Sequence, residues 1–221
     1  MATSAIAAAG SATATISEKT VELNLSIEIA NFLFARHRRP AFAWGPTLRE
    51  EARWGFDAAY GLQGRFIYIQ FKRAYPEGAG HLFHLNRTKA RDQHQKLQAL
   101  ELAGVAVRYA LPRFTTMHHI ERYRRRLLIP PHTAWLRPSQ IPVPNAGVGH
   151  HDLHIHRHRR WLTSDPVEMD SGDDNPFLGG RAEEFTAFDD GGAEHWAQIF
   201  EKVFGDDRDS TRGASLIFLP L

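Results

Sequence analysis

Apolar residues along the chain fall into short blocks whose spacing shifts between that of strands and that of helices. Residues 21–37, VELNLSIEIANFLFARH, carry both periods. Val21, Leu23, Leu25, Ile27 and Ile29 alternate as in a strand, whereas Ile29, Phe32 and Leu33 share a helix face. The balance favours a helix from about Ser26. Thr47 stands three residues before Glu50, a capping-box pattern that opens a short helix after Pro46, and Gly55 is placed to end it. Residues 56–61 then read as a strand, 62–64 as a turn and 65–74 as a second strand. Within the latter, FIYIQF is apolar on both faces, as at the centre of a covered sheet.

Asn86 to Leu102 follows as a helix with Ala90, Leu97, Leu100 and Ala103 on one face and Gly104 as its C-terminal stop. In the next block Val105, Val107, Tyr109 and Leu111 alternate cleanly. Thr115 or Thr116 caps an amphipathic helix bearing Met117, Ile120 and Leu127, stopped by Pro130 and Pro131. Residues 138–149 read as a loop, 152–161 as one further strand, and 170–192 as loosely structured. Trp196, Ile199, Phe200 and Val203 predict a last short helix, and 214–221, ASLIFLPL, a possible strand. Helix, hairpin, helix, strand, helix is an α/β order with a small mixed β-sheet flanked by helices. The expected division is a disordered tail over 1–20, a body over 21–165 and an acidic extension over 166–221 with its amphipathic helix.

Composition changes this picture in three respects. The 221 residues contain no cysteine, which excludes disulfides and thiolate metal sites and fits a cytoplasmic setting. No apolar run reaches membrane-spanning length, and the Ala/Ser/Thr-rich start lacks the features of a secretory signal. The net charge is only +2, but basic residues gather between Arg87 and Arg160 and acidic ones between Glu168 and Asp209. That asymmetry predicts a face for a polyanion and a separate acidic tail.

The densest chemistry lies in residues 47–74, TLREEARWGFDAAYGLQGRFIYIQFKRA. Gln70 and Lys72, two apart on a strand, share a face. A hairpin brings Asp57 beside them. Glu50 is consumed by the capping box, leaving Glu51 to lean towards the hairpin. A hard cation such as Mg²⁺ or Mn²⁺ takes oxygen ligands, here the Asp57 carboxylate, the Gln70 amide and the Phe71 carbonyl. Lys72 would stabilise charge developing on a phosphate, and Glu51 would hold a second cation or one of its waters. A Q-x-K triplet alone is common, and Asp57 and Lys72 also fit a solvated surface pair. The apolar strand that Lys72 ends argues against the latter, because an unpaired ammonium there is costly.

G-F-D, a hairpin-length gap, then I-Q-F-K before a helix and a strand resembles the restriction-endonuclease-like superfamily, the PD-(D/E)xK nucleases, over roughly residues 47–114. Gln70 replaces the usual second acid, a variant shared with Mrr-like restriction enzymes and several phage-defence nucleases, and Phe56 stands where proline is usual. The resemblance implies a restriction-endonuclease-like three-layer core, with Asp57, Gln70 and Glu51 as metal ligands and Lys72 as the catalytic lysine. It further implies Mg²⁺-dependent endonuclease activity, on DNA more than RNA, a setting in anti-phage or genome defence, and a homodimer or a partner subunit. A catalytically silent nucleic-acid-binding or scaffold subunit is the alternative.

Two further runs compete for attention. In HHDLHIHRHRR (150–160), His154, His156 and His158 would line one face of a strand. Three imidazoles on one strand make a poor tetrahedral cage for Zn²⁺ or Ni²⁺. A polar edge strand, or a phosphate-contacting surface using Arg157 and Arg159, are the other readings. RYRRR (122–126) places Arg124 and Arg125 on a helix as a solvated face or as contacts to a nucleic-acid backbone.

Overall fold

A computed structural model describes residues 16–62, 65–85, 90–126, 129–142, 152–156, 159–162, 169, 186–187 and 216–217. The chain opens with α1 (Glu18–His37), capped by the Ser17 side chain, which accepts a hydrogen bond from the Thr20 amide. The helix starts well before Ser26 and takes in residues 18–20 of the expected tail. Val21, Leu25, Ile29 and Leu33 form its buried stripe at four-residue spacing. The apparent strand alternation came from Leu23 and Ile27, which lie outside that stripe and are exposed.

After β1 (Phe42–Trp44), α2 (Leu48–Trp54) forms as its capping box dictates: the Thr47 side chain accepts from the Glu50 amide and Glu50 accepts from the Thr47 amide. Gly55 ends it with φ 84°, a left-handed conformation that glycine adopts without strain. β2 (Ala58–Leu62) and β3 (Arg65–Phe71) then pair antiparallel, with Ala58 opposite Ile69. Next come β4 (Tyr75–Glu77), β5 (Gly80–His84), α3 (Ala90–Leu102), β6 (Val107–Pro112), α4 (Met117–Arg124) and β7 (Thr133–Leu136). Thr116 is the cap of α4. β8 (Asp152–His156), β9 (Arg159–Leu162) and the two-residue strands β10 (Thr186–Ala187) and β11 (Leu216–Ile217) complete the described elements.

The larger sheet has the order β11-β1-β2-β3-β6-β7, with β10 also pairing with β3. β3 and β6 run parallel, and the remaining pairs are antiparallel. α1 covers one face of β3 and β6 through Ile67, Ile69, Phe71 and Ala110. On the other face Tyr68, Val107, Tyr109 and Leu111 pack with Leu97 and Leu100 of α3. The fold is therefore mixed α/β, and the two central strands are buried on both sides, as FIYIQF predicted. All six residues of β6 are buried, so its alternation did not mark a solvent face.

The second sheet, β4-β5-β8-β9, differs most from expectation. Residues 152–161 form two strands of a hairpin rather than one, and 75–84 form a hairpin that Pro76, Gly78 and Gly80 concealed. Phe83, Leu153, Ile155 and Leu162 join this sheet to the core on the α3 side. β10 and β11 come from the 166–221 segment and pair with the larger sheet, while the helix expected over 193–204 lies outside the described residues. Among the described residues, no helix is long and apolar enough to cross a membrane.

Gly80 is a test of how the second sheet closes. A Cβ there would lie 2.8 Å from the Ile155 carbonyl oxygen, a backbone atom that cannot swing away. Gly80→Ala is expected to destabilise the protein by about 1–3 kcal/mol, measured by denaturant unfolding. Unchanged stability would mean that β5 and β8 are not held at this distance.

Candidate active site

Asp57 stands immediately before β2, its amide donating to the Ile69 carbonyl at 3.0 Å. That bond places it across from Gln70. Its carboxylate then extends the ladder: Oδ2 accepts the Phe71 amide at 2.7 Å. The same oxygen accepts Gln70 Nε2 at 2.7 Å, leaving Oδ1 for another partner. Gln70 Nε2 also donates to the Phe71 carbonyl at 3.1 Å. The amide nitrogen thus occupies a point flanked by two oxygens, Asp57 Oδ2 and Phe71 O.

Lys72 lies just past the end of β3, where its amide donates to the Ala110 carbonyl of β6 at 3.1 Å. Its side chain is 13% exposed, and the ammonium lies 3.7 Å from Glu18 Oε1. It donates to Gln93 Oε1 at 3.2 Å. Gln93, on α3, in turn donates through Nε2 to Gln70 Oε1 at 2.9 Å. Lys72, Gln93, Gln70 and Asp57 therefore form one continuous donor-to-acceptor chain. Two amides sit in its middle, and each has its orientation set by its neighbour.

Burial pushes the Asp57 carboxyl up to about 8, and the Glu51 and Glu18 charges add to that rise, while the Lys72 ammonium and the Phe71 amide oppose it. Burial also raises Glu51, opposed by Lys72 and reinforced by Glu22 and Glu18. These mutual effects bring Glu51 of α2, Asp57, Lys72 and the first turns of α1 into one electrostatic neighbourhood. The sequence reading had named Glu51, Asp57, Gln70 and Lys72. It had missed Glu18, Glu22 and Gln93. The early start of α1 was the signal for the two acids, and Gln93 had none beyond its place on a helix.

The donor set suits a hard divalent cation. Asp57 supplies a carboxylate and Phe71 a carbonyl, converging on a spot now filled by an N–H donor. Turning the Gln70 amide would offer Oε1 in its place, and Gln93 would have to turn with it. Among the described residues no three His, Asp or Glu side chains are grouped to hold a metal ion. A cation here would keep several waters, as Mg²⁺ commonly does.

The other sequence candidates are scattered. Arg124 is close enough to Glu28 to lower its pKa, although burial dominates and raises Glu28 to about 7. Arg125 lines a surface cleft beside α4. Arg159 is exposed on β9, and Arg157 and His158 lie outside the described residues. His154 Nδ1 bonds Glu77 Oε2 at 2.6 Å and its ring stacks on Trp161, which makes it part of the second sheet's polar face.

Asp57 carries a sign-definite pH prediction. Its folded pKa lies above the unfolded value, so the folded state binds the extra proton and ionisation costs stability as pH rises from about 4 to about 8. Asp57→Asn is expected to gain in melting temperature over the parent across that window and to hold a constant lead above it. Adding Mn²⁺ at pH 8 should raise the parent's melting temperature and leave the variant's unchanged. A constant offset from pH 4 to pH 9 would show that Asp57 is not buried as described.

Comparison of the chain with protein-family models, curated proteins and solved structures returns no significant match.

Proposed function

We propose that the protein is a metal-dependent endonuclease hydrolysing phosphodiester bonds of nucleic acid, DNA more readily than RNA, with Asp57, Gln70, Glu51 and Lys72 at its centre. The observation that carries this reading is the convergence of Asp57, the Phe71 carbonyl and the Gln70 amide on one point, linked through Gln93 to the Lys72 ammonium. The order α1, β1–β2–β3 meander, α3 and a β6 parallel to β3 supports a restriction-endonuclease-like core. The same resemblance brings with it a cytoplasmic anti-phage or genome-defence setting and a dimer or partner subunit.

Asp57, Gln70 and the Phe71 carbonyl would hold Mg²⁺ or Mn²⁺, with Glu51, Glu18 and Glu22 adding negative charge to the neighbourhood. The chemistry a bound Mg²⁺ supplies in such a site is polarisation of the scissile phosphate and acidification of a coordinated water. Lys72 Nζ directs its N–H groups at the non-bridging oxygens as charge builds on them. Glu51, raised by burial, is suited to accept a proton from the attacking water at its carboxylate. Gln93 holds Lys72 in place until substrate phosphate competes for the ammonium.

Plasmid DNA and single-stranded RNA, incubated with Mg²⁺ or Mn²⁺, test the reading. Cleavage should require the metal and rise with pH towards 8 as Asp57 ionises. Lys72→Ala should lower the rate by about 10²-fold or more. Cleavage that survives both EDTA and Lys72→Ala would overturn the assignment. Salt-sensitive binding that is unchanged in Asp57→Ala, with no hydrolysis in any metal, would instead favour a silent binding subunit.

A further inference from the structure

α4 carries a second charged feature, set apart from the Lys72 centre. A cleft of about 510 Å³ opens beside it, lined by Arg122, Arg125 and Arg126 together with Tyr123, His118 and His132. Glu121 is the single acid in the lining. No ion pair among the described residues involves any of the three arginines. Tyr123 stacks on His132 with ring centroids 3.8 Å apart, and the His119 ring lies 6.0 Å from Tyr123. The stacked rings of Tyr123 and His132 therefore line the cleft, and among its described lining residues three guanidiniums face a single carboxylate, Glu121.

The surroundings reinforce the sign of the charge. Burial lowers the pKa of His132, and Arg113, Arg122 and His119 lower it further. His81 of β5 is lowered by burial, with Arg113 and His119 again adding to it. No acid is among the causes acting on either histidine. A site in this state gains most from an anion with several oxygens, which guanidinium groups bind in bidentate fashion.

The cleft is also placed for such an anion to belong to the same molecule that reaches Lys72. The Ile16 amide donates to the Thr115 carbonyl at 3.2 Å, which ties the start of α1 to the start of α4. Glu18, two residues on, reaches Lys72. α4 then runs for eight residues, roughly 12 Å at 1.5 Å per residue. That span equals about three to four nucleotides along one strand of a duplex at 3.4 Å each.

We infer that the α4 cleft is a backbone-binding subsite: Arg122, Arg125 and Arg126 grip phosphodiesters of the nucleic acid a few nucleotides from the scissile bond. It contributes affinity and register, and no chemistry. Arg124 is not part of it, because it does not line the cleft. The choice of a nucleic-acid backbone as occupant rests on the nuclease reading, while the anion preference rests on the cleft alone.

The test is fluorescence anisotropy of labelled duplex and single-stranded oligonucleotides in EDTA, which separates binding from cleavage. Arg122→Gln/Arg125→Gln/Arg126→Gln is compared with the parent and with Arg36→Gln/Arg38→Gln/Arg39→Gln, which removes equal charge at the end of α1. The cleft variant should bind about tenfold or more weakly at moderate salt, and its log–log salt slope should fall by about three on duplex or two on single strands. The control variant should keep the parent slope. Parent-like binding and slope in the cleft variant would overturn the inference. So would a parent that ignores oligonucleotides but binds pyrophosphate or anionic phosphatidylserine vesicles. Oligonucleotide binding through the cleft in a protein that never cleaves in Mn²⁺ would support the subsite and remove the nuclease reading alone.

Discussion

Asp57 must be buried against the end of β3, and the arrangement of the rest of the site depends on how that burial is tolerated. A carboxylate drawn out of water loses its hydration and holds its charge only where donors replace it. Two donors do so on a single oxygen: the Phe71 amide, which the end of the β2 ladder leaves without a strand carbonyl, and the Gln70 amide. The Lys72 ammonium supplies opposite charge nearby, but Glu51 and Glu18 work against it. The balance falls on the side of the proton. The Asp57 carboxyl is thus held by the Gln70 amide, with its burial favouring the protonated form.

Gln93 gives this local balance a longer reach. A glutamine side chain has a donor end and an acceptor end, so fixing one end fixes the other. Gln93 accepts from Lys72 and donates to Gln70, and Gln70 therefore turns its nitrogen to Asp57. Reversal of the Gln70 amide would leave Gln93 with its nitrogen towards Lys72 unless that bond breaks. Lys72 and Asp57 are in this way mechanically related through α3.

The architecture around the site follows the same logic of covering. β3 and β6 are parallel neighbours buried on both faces, and their C-terminal ends lie side by side, which gathers Lys72 and the start of the α4 segment at one edge. α1 covers one face and delivers Glu18 and Glu22 to that edge, while α3 covers the other and delivers Gln93. The second sheet seals the α3 side with Phe83, Leu153, Ile155 and Leu162, and its His154 and His84 are engaged with Glu77 and Asp152.

Local sequence determined the features whose causes are local. The capping box at Thr47 and Glu50, the left-handed Gly55 and the two-residue parity of Gln70 and Lys72 need only neighbours a few positions away. The pairing of Asp57 with Gln70 followed from a hairpin of legible length. Tertiary structure decided what depends on residues far apart. Whether residues 21–37 obey the strand period or the helix period turned on which side chains the sheet would bury. The contact of Glu18 with Lys72 spans more than fifty positions, and that of Gln93 with Gln70 more than twenty. Hydrophobic spacing reports which face of an element is covered, but it carries no information about which distant polar group that covering brings within hydrogen-bond reach.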